Sequence, residues 1–335
     1  MSSLRPVSGT AEEIVALLRD WVADDRAAPL VVETSGSTGE PKRVMLSRRA
    51  MLASANATHA RLGGAGQWLL TLPPSYVAGV QVVVRSLLAG RDPVLGEVTD
   101  IAKMHTGRRY LSLVPTQLHR ALDDATQVGA LRGFDTVLLG GAATDPRLRT
   151  RAEALGVRVV ATYGMSETCG GCVYDGRPLD GVVLEIGPSG RVRVRGEVLF
   201  DGYEGDPGLT AAVMDGDWFV TSDLGQLDNG QLSVQGRADD VVISGGVNVP
   251  APLVAHRLRQ HPVVVAAEIV GVTDAEWGER VVAFVVGALS LQQAREWVSA
   301  EQPRQWAPQC LVEVEEIPLL DNGKVDRVRL QELAG

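Results

Sequence analysis

Thr34-Ser35-Gly36-Ser37-Thr38-Gly39-Glu40-Pro41-Lys42 follows the apolar run Leu30-Val31-Val32 and precedes a segment that Ser47 can cap as a helix to His59. Its nine positions hold two glycines, four hydroxyl residues and one lysine. The glycines let backbone N–H groups turn inward, the hydroxyls donate, and the lysine adds positive charge, so the loop suits an oligophosphate. A Walker loop requires Gly-x-x-x-x-Gly-Lys-Ser/Thr, and that spacing is absent. A mobile polar turn has the same composition, so the loop alone leaves both readings open.

The surrounding chain sets the context. At 335 residues it exceeds the usual single-domain size, so two domains are expected. No stretch is apolar and long enough to read as a membrane span, and Met1 to Gly9 does not read as a signal peptide. A net charge of -9 argues against a broad nucleic-acid footprint. Of three cysteines, Cys169 and Cys172 form a Cys-x-x-Cys with no second ligand pair, which disfavours a structural zinc and leaves a redox pair as the minor reading. A reducing, cytoplasmic setting fits.

Thr10-Ala11-Glu12-Glu13 reads as a capping box before an amphipathic helix carrying Ile14, Leu17, Leu18, Trp21 and Val22. Strand-like runs at 68–72, 110–114, 134–139 and 157–161 then alternate with helical ones at 77–89, after Pro115 and after Asp145-Pro146. This alternation predicts an α/β fold with a mostly parallel, doubly wound sheet, whose ligands bind beyond the carboxyl ends of the strands. The loops after Val32 and Ala161 are expected at such ends. Residues 181–200, 218–220 and 232–234 read as an antiparallel β section. From Arg237 a compact α/β unit follows, with helices near 252–260 and 291–300 and strands near 263–270, 281–286 and 311–317. The expected division is 1–236, a large N-terminal domain, and 237–335, a small mobile C-terminal lid.

Four further stretches occur in fixed order after the phosphate loop. They are Tyr163-Gly164-Met165-Ser166-Glu167-Thr168; Thr221-Ser222-Asp223-Leu224-Gly225; Gly236-Arg237-Ala238-Asp239-Asp240 with Ser244-Gly245-Gly246; and Pro318-Leu319-Leu320-Asp321-Asn322-Gly323-Lys324. Together the five resemble the acyl-adenylate-forming superfamily, over nearly the whole chain from Val31. One departure is that only about thirty residues precede the phosphate loop, where members of the superfamily usually carry a substantial region. That departure puts core completeness and oligomeric state in question.

The resemblance implies ATP, Mg2+ and coenzyme A as ligands and a small carboxylic acid as substrate. Thr34, Ser35, Gly36, Ser37, Thr38, Gly39 and Lys42 would hold the phosphates, with Thr38 also in the catalytic set. Gly141, Tyr163, Gly164, Ser166 and Thr168 would frame the nucleotide, with Tyr163 stacked on adenine. Glu167 offers a hard oxygen to a phosphate-bound magnesium. Asp223 suits two ribose hydroxyls and Arg237 the ribose or phosphate. Asp239 matches the hinge position, Ser244, Gly245 and Gly246 the pantetheine path, and Lys324 the lysine that stabilises charge in adenylation.

The acid is addressed by the stretch from Ser75 to Arg85. Arg85 sits in an otherwise apolar helical run, where a charge is costly unless paired. A structural ion pair would meet that cost, and so would the second carboxylate of a dicarboxylic substrate. Tyr76, Gly79 and Gly164 complete the implied acid pocket. With Leu139-Gly140-Gly141-Ala142 and Cys169-Gly170-Gly171-Cys172, the stretch resembles the short actinobacterial branch of o-succinylbenzoate–CoA ligases of menaquinone biosynthesis. Two other readings stand beside it: an adenylating enzyme that loads a carrier protein, and a catalytically silent nucleotide-binding protein.

Overall fold

The computed structural model describes residues 5–34, 41–142, 144–319 and 325–334. The chain divides into two compact units, one of Met1–Glu185, Arg193–Val220 and Asp228–Leu232, the other of Ile186–Val192, Thr221–Leu227 and Ser233–Gly335.

A seven-stranded sheet lies at the centre of the first unit. Strands Val94–Leu95, Gln67–Leu70, Arg109–Leu113, Thr136–Leu139 and Val159–Met165 run parallel in that order, and Gly170–Tyr174 and Arg177–Pro178 continue the sheet antiparallel. The pleat alternates side chains between the faces. Leu69, Leu111, Leu113, Val137, Leu139 and Val159 pack against Leu118, Leu122, Leu131, Leu148 and Ala152. Trp68 and Tyr110, alternating with that set, pack with their rings tilted by 39° and centroids 4.9 Å apart. This is the doubly wound arrangement the alternating runs predict.

Local signals explain the helices. Thr10 and Glu13 form the capping box of helix Ala11–Ala23. Ser47 caps Arg48–Arg61, and Asp145 caps Pro146–Ala154 with Pro146 in its first turn. Trp21 is fully buried, and its indole N–H donates to the Ala28 carbonyl at 2.8 Å.

Two expectations are corrected here. Leu30–Thr34 is not a strand of the parallel sheet. It belongs to a separate four-stranded sheet, Arg5–Pro6, Leu30–Thr34, Lys42–Leu46 and Gly202–Tyr203. Thr34 pairs with Lys42 in antiparallel register, so the strands that flank the phosphate stretch are antiparallel neighbours outside the parallel sheet. Tyr163 is likewise not in a loop: its strand runs on to Met165. Parallel pairing ends at Ala161, and Thr162 to Met165 then pair antiparallel with 170–174 across a bulge at Tyr163/Gly164.

The second unit carries a five-stranded sheet of Val247–Pro250, Val241–Ser244, Gly278–Val286, Ala266–Asp274 and, parallel to Gly278–Val286, Cys310–Glu313. Val254, Leu258, Ala294 and Val298, from helices Ala251–Arg259 and Leu291–Ser299, pack with Ile269, Val281, Ala283 and Val285. Leu330 of helix Arg327–Ala334 packs with Val270, Val282 and Phe284. Gly245 and Gly246, both with positive φ, turn the hairpin between Val241–Ser244 and Val247–Pro250.

Candidate active site

In the first unit the ends of three segments meet around Glu167. The strands that flank the phosphate stretch contribute Thr34, whose hydroxyl donates to the Lys42 carbonyl at 3.5 Å, and Lys42, whose ammonium lies 5.5 Å from the centre of the Tyr203 ring. Glu167 sits in the single 3-10 turn Ser166–Thr168 that follows Met165. Its Oε1 accepts the Tyr203 hydroxyl at 2.7 Å. Burial, with the Glu167 carboxylate second, raises the Tyr203 hydroxyl well above the usual phenol range, so it stays a donor.

Thr168 Oγ1 accepts the Met165 N–H at 2.9 Å and donates to the Gly170 carbonyl at 2.7 Å. Fully buried, it fixes the turn rather than presenting its hydroxyl outward, and Ser166 is buried as well. Gly164 is exposed and allows a close backbone approach, since a Cβ there would lie 2.1 Å from the Gly170 carbonyl oxygen. Gly141, also exposed, has φ +84° just past the end of strand Thr136–Leu139. Tyr163 is half-buried in its strand. Ser35, Gly36, Ser37, Thr38 and Gly39 lie outside the described residues, as does Lys324.

Among the described residues no three His, Cys, Asp or Glu side chains cluster as a metal site. A lone, half-buried carboxylate suits a magnesium that keeps its waters and binds mainly through nucleotide phosphates. It does not suit a closed zinc site. Cys169 and Cys172 are free and fully buried, and burial pushes both thiols up, which leaves them unreactive.

Beside the seven-stranded sheet lies a cluster of buried polar side chains. Helix Val77–Leu88 contributes Gln81 and Arg85 on one face, helix Arg48–Arg61 contributes Ser54, Thr58 and His59, and the sheet contributes Trp68 and Tyr174. Thr58 Oγ1 and the Tyr174 hydroxyl are 2.9 Å apart. Ser54 and Gln81 both donate to the Cys169 carbonyl, at 3.1 and 2.8 Å.

Arg85 is only 3% exposed, makes no ion pair among the described residues, and lies 5.1 Å over the Trp68 ring. Four buried atoms here have no hydrogen-bond partner among the described residues: Arg85 Nε, His59 Nε2, Trp68 Nε1 and Gln81 Oε1. Burial lowers the Arg85 guanidinium from its usual range. Burial, and next the Arg85 charge, lowers His59 to about 4, so it is neutral at physiological pH. The intramolecular ion pair allowed by the sequence is therefore absent among the described residues. Tyr76, 53% exposed, is the N-cap of this helix, and Gly79 lets its first turn lie on Pro73, whose carbonyl oxygen a Cβ would meet at 2.2 Å.

In the second unit Arg237 grips Asp239 in a two-pronged pair, Nε to Oδ1 at 2.9 Å and Nη2 to Oδ2 at 2.6 Å. That pair raises Arg237, with the Asp223 charge contributing further, so all three charged residues are neighbours. The Ala238 N–H donates to the Ser222 carbonyl at 2.6 Å, tying the two motifs together. Ser244 is buried and bonded to Gln309, whereas Gly245 and Gly246 are exposed.

The sequence reading gives Tyr203 and His59 no role in the site, and Gln81 appears there only as a member of the Ser75–Arg85 stretch. A tyrosine in a two-residue strand and a histidine within a helix carry no motif, and their importance appears only from what they touch.

The comparisons with known proteins give the class: a family of nucleotide-activating enzymes. The AMP-binding enzyme family model matches residues 22–204 and the AMP-binding enzyme C-terminal domain model matches 254–324, and the chain belongs to this family. A Mycobacterium tuberculosis protein named "Probable 2-succinylbenzoate--CoA ligase" is 42% identical over 95% of this chain and 88% of its own length. The 2-succinylbenzoate–CoA ligase of Escherichia coli K12 is 34% identical over 82% of this chain and 63% of its own. The o-succinylbenzoate CoA synthetase of Bacillus subtilis, solved in complex with the acyl-adenylate intermediate OSB-AMP, superposes with a TM-score of 0.69 at 26% identity, covering 90% of this chain and 68% of that one. Among the described residues no helix is long and apolar enough to cross a membrane.

Proposed function

We propose that this protein is an ATP-dependent, AMP-forming acid–CoA ligase acting on o-succinylbenzoate in menaquinone biosynthesis. The observation that carries the acid assignment is Arg85, a buried guanidinium without a carboxylate partner among the described residues. An uncompensated buried charge calls for an anion, and a planar fork suits a carboxylate. A dicarboxylic acid supplies one carboxylate to Arg85 and keeps the other for activation. The names borne by the relatives support the same acid.

In the first half-reaction the succinyl carboxylate oxygen attacks the α-phosphorus of ATP. The bond to the β-phosphate breaks and pyrophosphate leaves. Such chemistry is chiefly positioning and charge neutralisation. The stretch from Thr34 to Lys42 holds the β- and γ-phosphates, Tyr163 and Gly164 with Gly141 frame the adenosine, Asp223 takes the ribose hydroxyls, and Lys324 stabilises the developing charge. Mg2+ held by Glu167 would neutralise phosphate charge. Arg237 serves the ribose or a phosphate, and Asp239, which it clamps, stands at the hinge position. In the second half-reaction the CoA sulfur attacks the acyl carbonyl, AMP leaves, and Gly245 and Gly246 give room for pantetheine.

The test is acid-dependent pyrophosphate release followed by thioester formation on adding CoA, with o-succinylbenzoate beside benzoate, succinate and a medium-chain fatty acid. Turnover confined to o-succinylbenzoate supports the proposal. Turnover of a monocarboxylate instead keeps the ligase and discards the acid, and pyrophosphate release without a CoA thioester points to a carrier-loading enzyme.

A further inference from the structure

Tyr203 stands between two groups of opposite charge that the proposed reaction needs. Its hydroxyl donates to Glu167 Oε1 at 2.7 Å, and its ring faces the Lys42 ammonium at 5.5 Å. Three contacts hold it still. Its backbone pairs with Val44, on the strand that follows the phosphate stretch, and its N–H donates to Thr210 Oγ1 at 2.9 Å. The ring packs edge-on against Phe200, centroids 5.1 Å apart, and only 4% of the residue is exposed. Phe200 itself donates its N–H to the Glu167 carbonyl at 3.0 Å. The segment 200–203 therefore grips both the backbone and the carboxylate of Glu167 while joined to the strand of Lys42.

We propose that Tyr203 is a positioning residue: it orients the Glu167 carboxylate toward the metal of the metal–nucleotide complex and keeps it in register with Lys42. This rests on the reading of Glu167 as the magnesium ligand. One carboxylate oxygen is committed to the tyrosine, and the other is left for the cation. A hydrogen bond to a ligating carboxylate selects its rotamer and strengthens the site, and losing such a partner costs about tenfold or more in metal affinity.

Calorimetric titration of the full chain with ATP, once with Mg2+ and once with EDTA, tests this without turnover. Tyr203→Phe keeps the ring, the Phe200 packing and the Lys42 contact, and loses only the hydroxyl. It is expected to bind ATP as the parent does in EDTA, to bind about tenfold more weakly with Mg2+, and to raise the half-saturating Mg2+ in pyrophosphate release by a similar factor. KM for the acid should not move. Glu167→Gln should remove the Mg2+ enhancement, and adding Tyr203→Phe to it should cost nothing more.

Equal losses with and without Mg2+ would make Tyr203 merely structural and overturn the proposal. So would Mg2+ dependence like the parent's, or additive losses in the double variant. Retention of full Mg2+ enhancement by Glu167→Gln would instead sink the metal-ligand reading on which the proposal stands.

Discussion

Replacing Arg85 by methionine should move stability and activity in opposite directions. The guanidinium is 3% exposed, with Nε unpaired and no ion pair among the described residues. Dehydrating an ion costs several kcal/mol. The Trp68 face, 5.1 Å away, returns about 2 kcal/mol. Methionine fills similar volume without either term, so unfolding free energy should stay level or rise by about 1–3 kcal/mol. For o-succinylbenzoate the loss has the other sign. Removing one partner of a buried charge pair costs about 2–5 kcal/mol, which is roughly 30- to 5000-fold in kcat/KM. Urea unfolding of the apo protein, together with steady-state thioester formation, reads both. Destabilisation by about 3–5 kcal/mol would mean that Arg85 is part of an intramolecular pair. Undiminished kcat/KM would remove it from the acid site. Either result refutes the reasoning.

Three more outcomes follow from the same geometry. His59 falls from 6.5 to about 4 in the fold, so between those values the unfolded chain binds more protons. Its contribution is whole above pH 6.5 and is lost as pH falls toward 4, at most about 3 kcal/mol; His59→Gln should flatten that part of the stability–pH curve in urea titrations. Gly164→Ala puts a Cβ 2.1 Å from the Gly170 oxygen and should cost about 1–3 kcal/mol in Tm-derived stability, whereas Gly129→Ala, open on all sides within its helix, should gain about 0.5–1 kcal/mol. Lys324→Ala should lower acid-dependent pyrophosphate release about 100- to 1000-fold, yet retain thioester formation from supplied acyl-adenylate in single-turnover assays.

Much of the architecture could be read from local signals. Thr10, Ser47 and Asp145 each announce a helix that forms where expected. Other features depend on contacts distant in sequence. Lys42–Leu46 begins with two cations and reads poorly as a strand, yet it pairs with Leu30–Thr34 on one side and with Gly202–Tyr203 on the other. That pairing takes the phosphate stretch out of the parallel sheet and brings Tyr203 to Glu167. The hairpin Val241–Pro250 and the helix Arg327–Ala334 were also missing from the sequence reading, because short elements carry little periodicity. In the site, the cost of burying Arg85 was legible from its apolar neighbours. Its unpaired surroundings, with His59, Trp68 and Gln81, became visible only once two helices and the sheet were brought together.

The most direct test compares o-succinylbenzoate with 3-benzoylpropionate, which has the same keto-acid arm but no ring carboxylate. In the parent enzyme kcat/KM for thioester formation should favour o-succinylbenzoate by about 100-fold or more, and Arg85→Met should bring the two substrates close together. Equal kcat/KM for the two acids in the parent enzyme would contradict it.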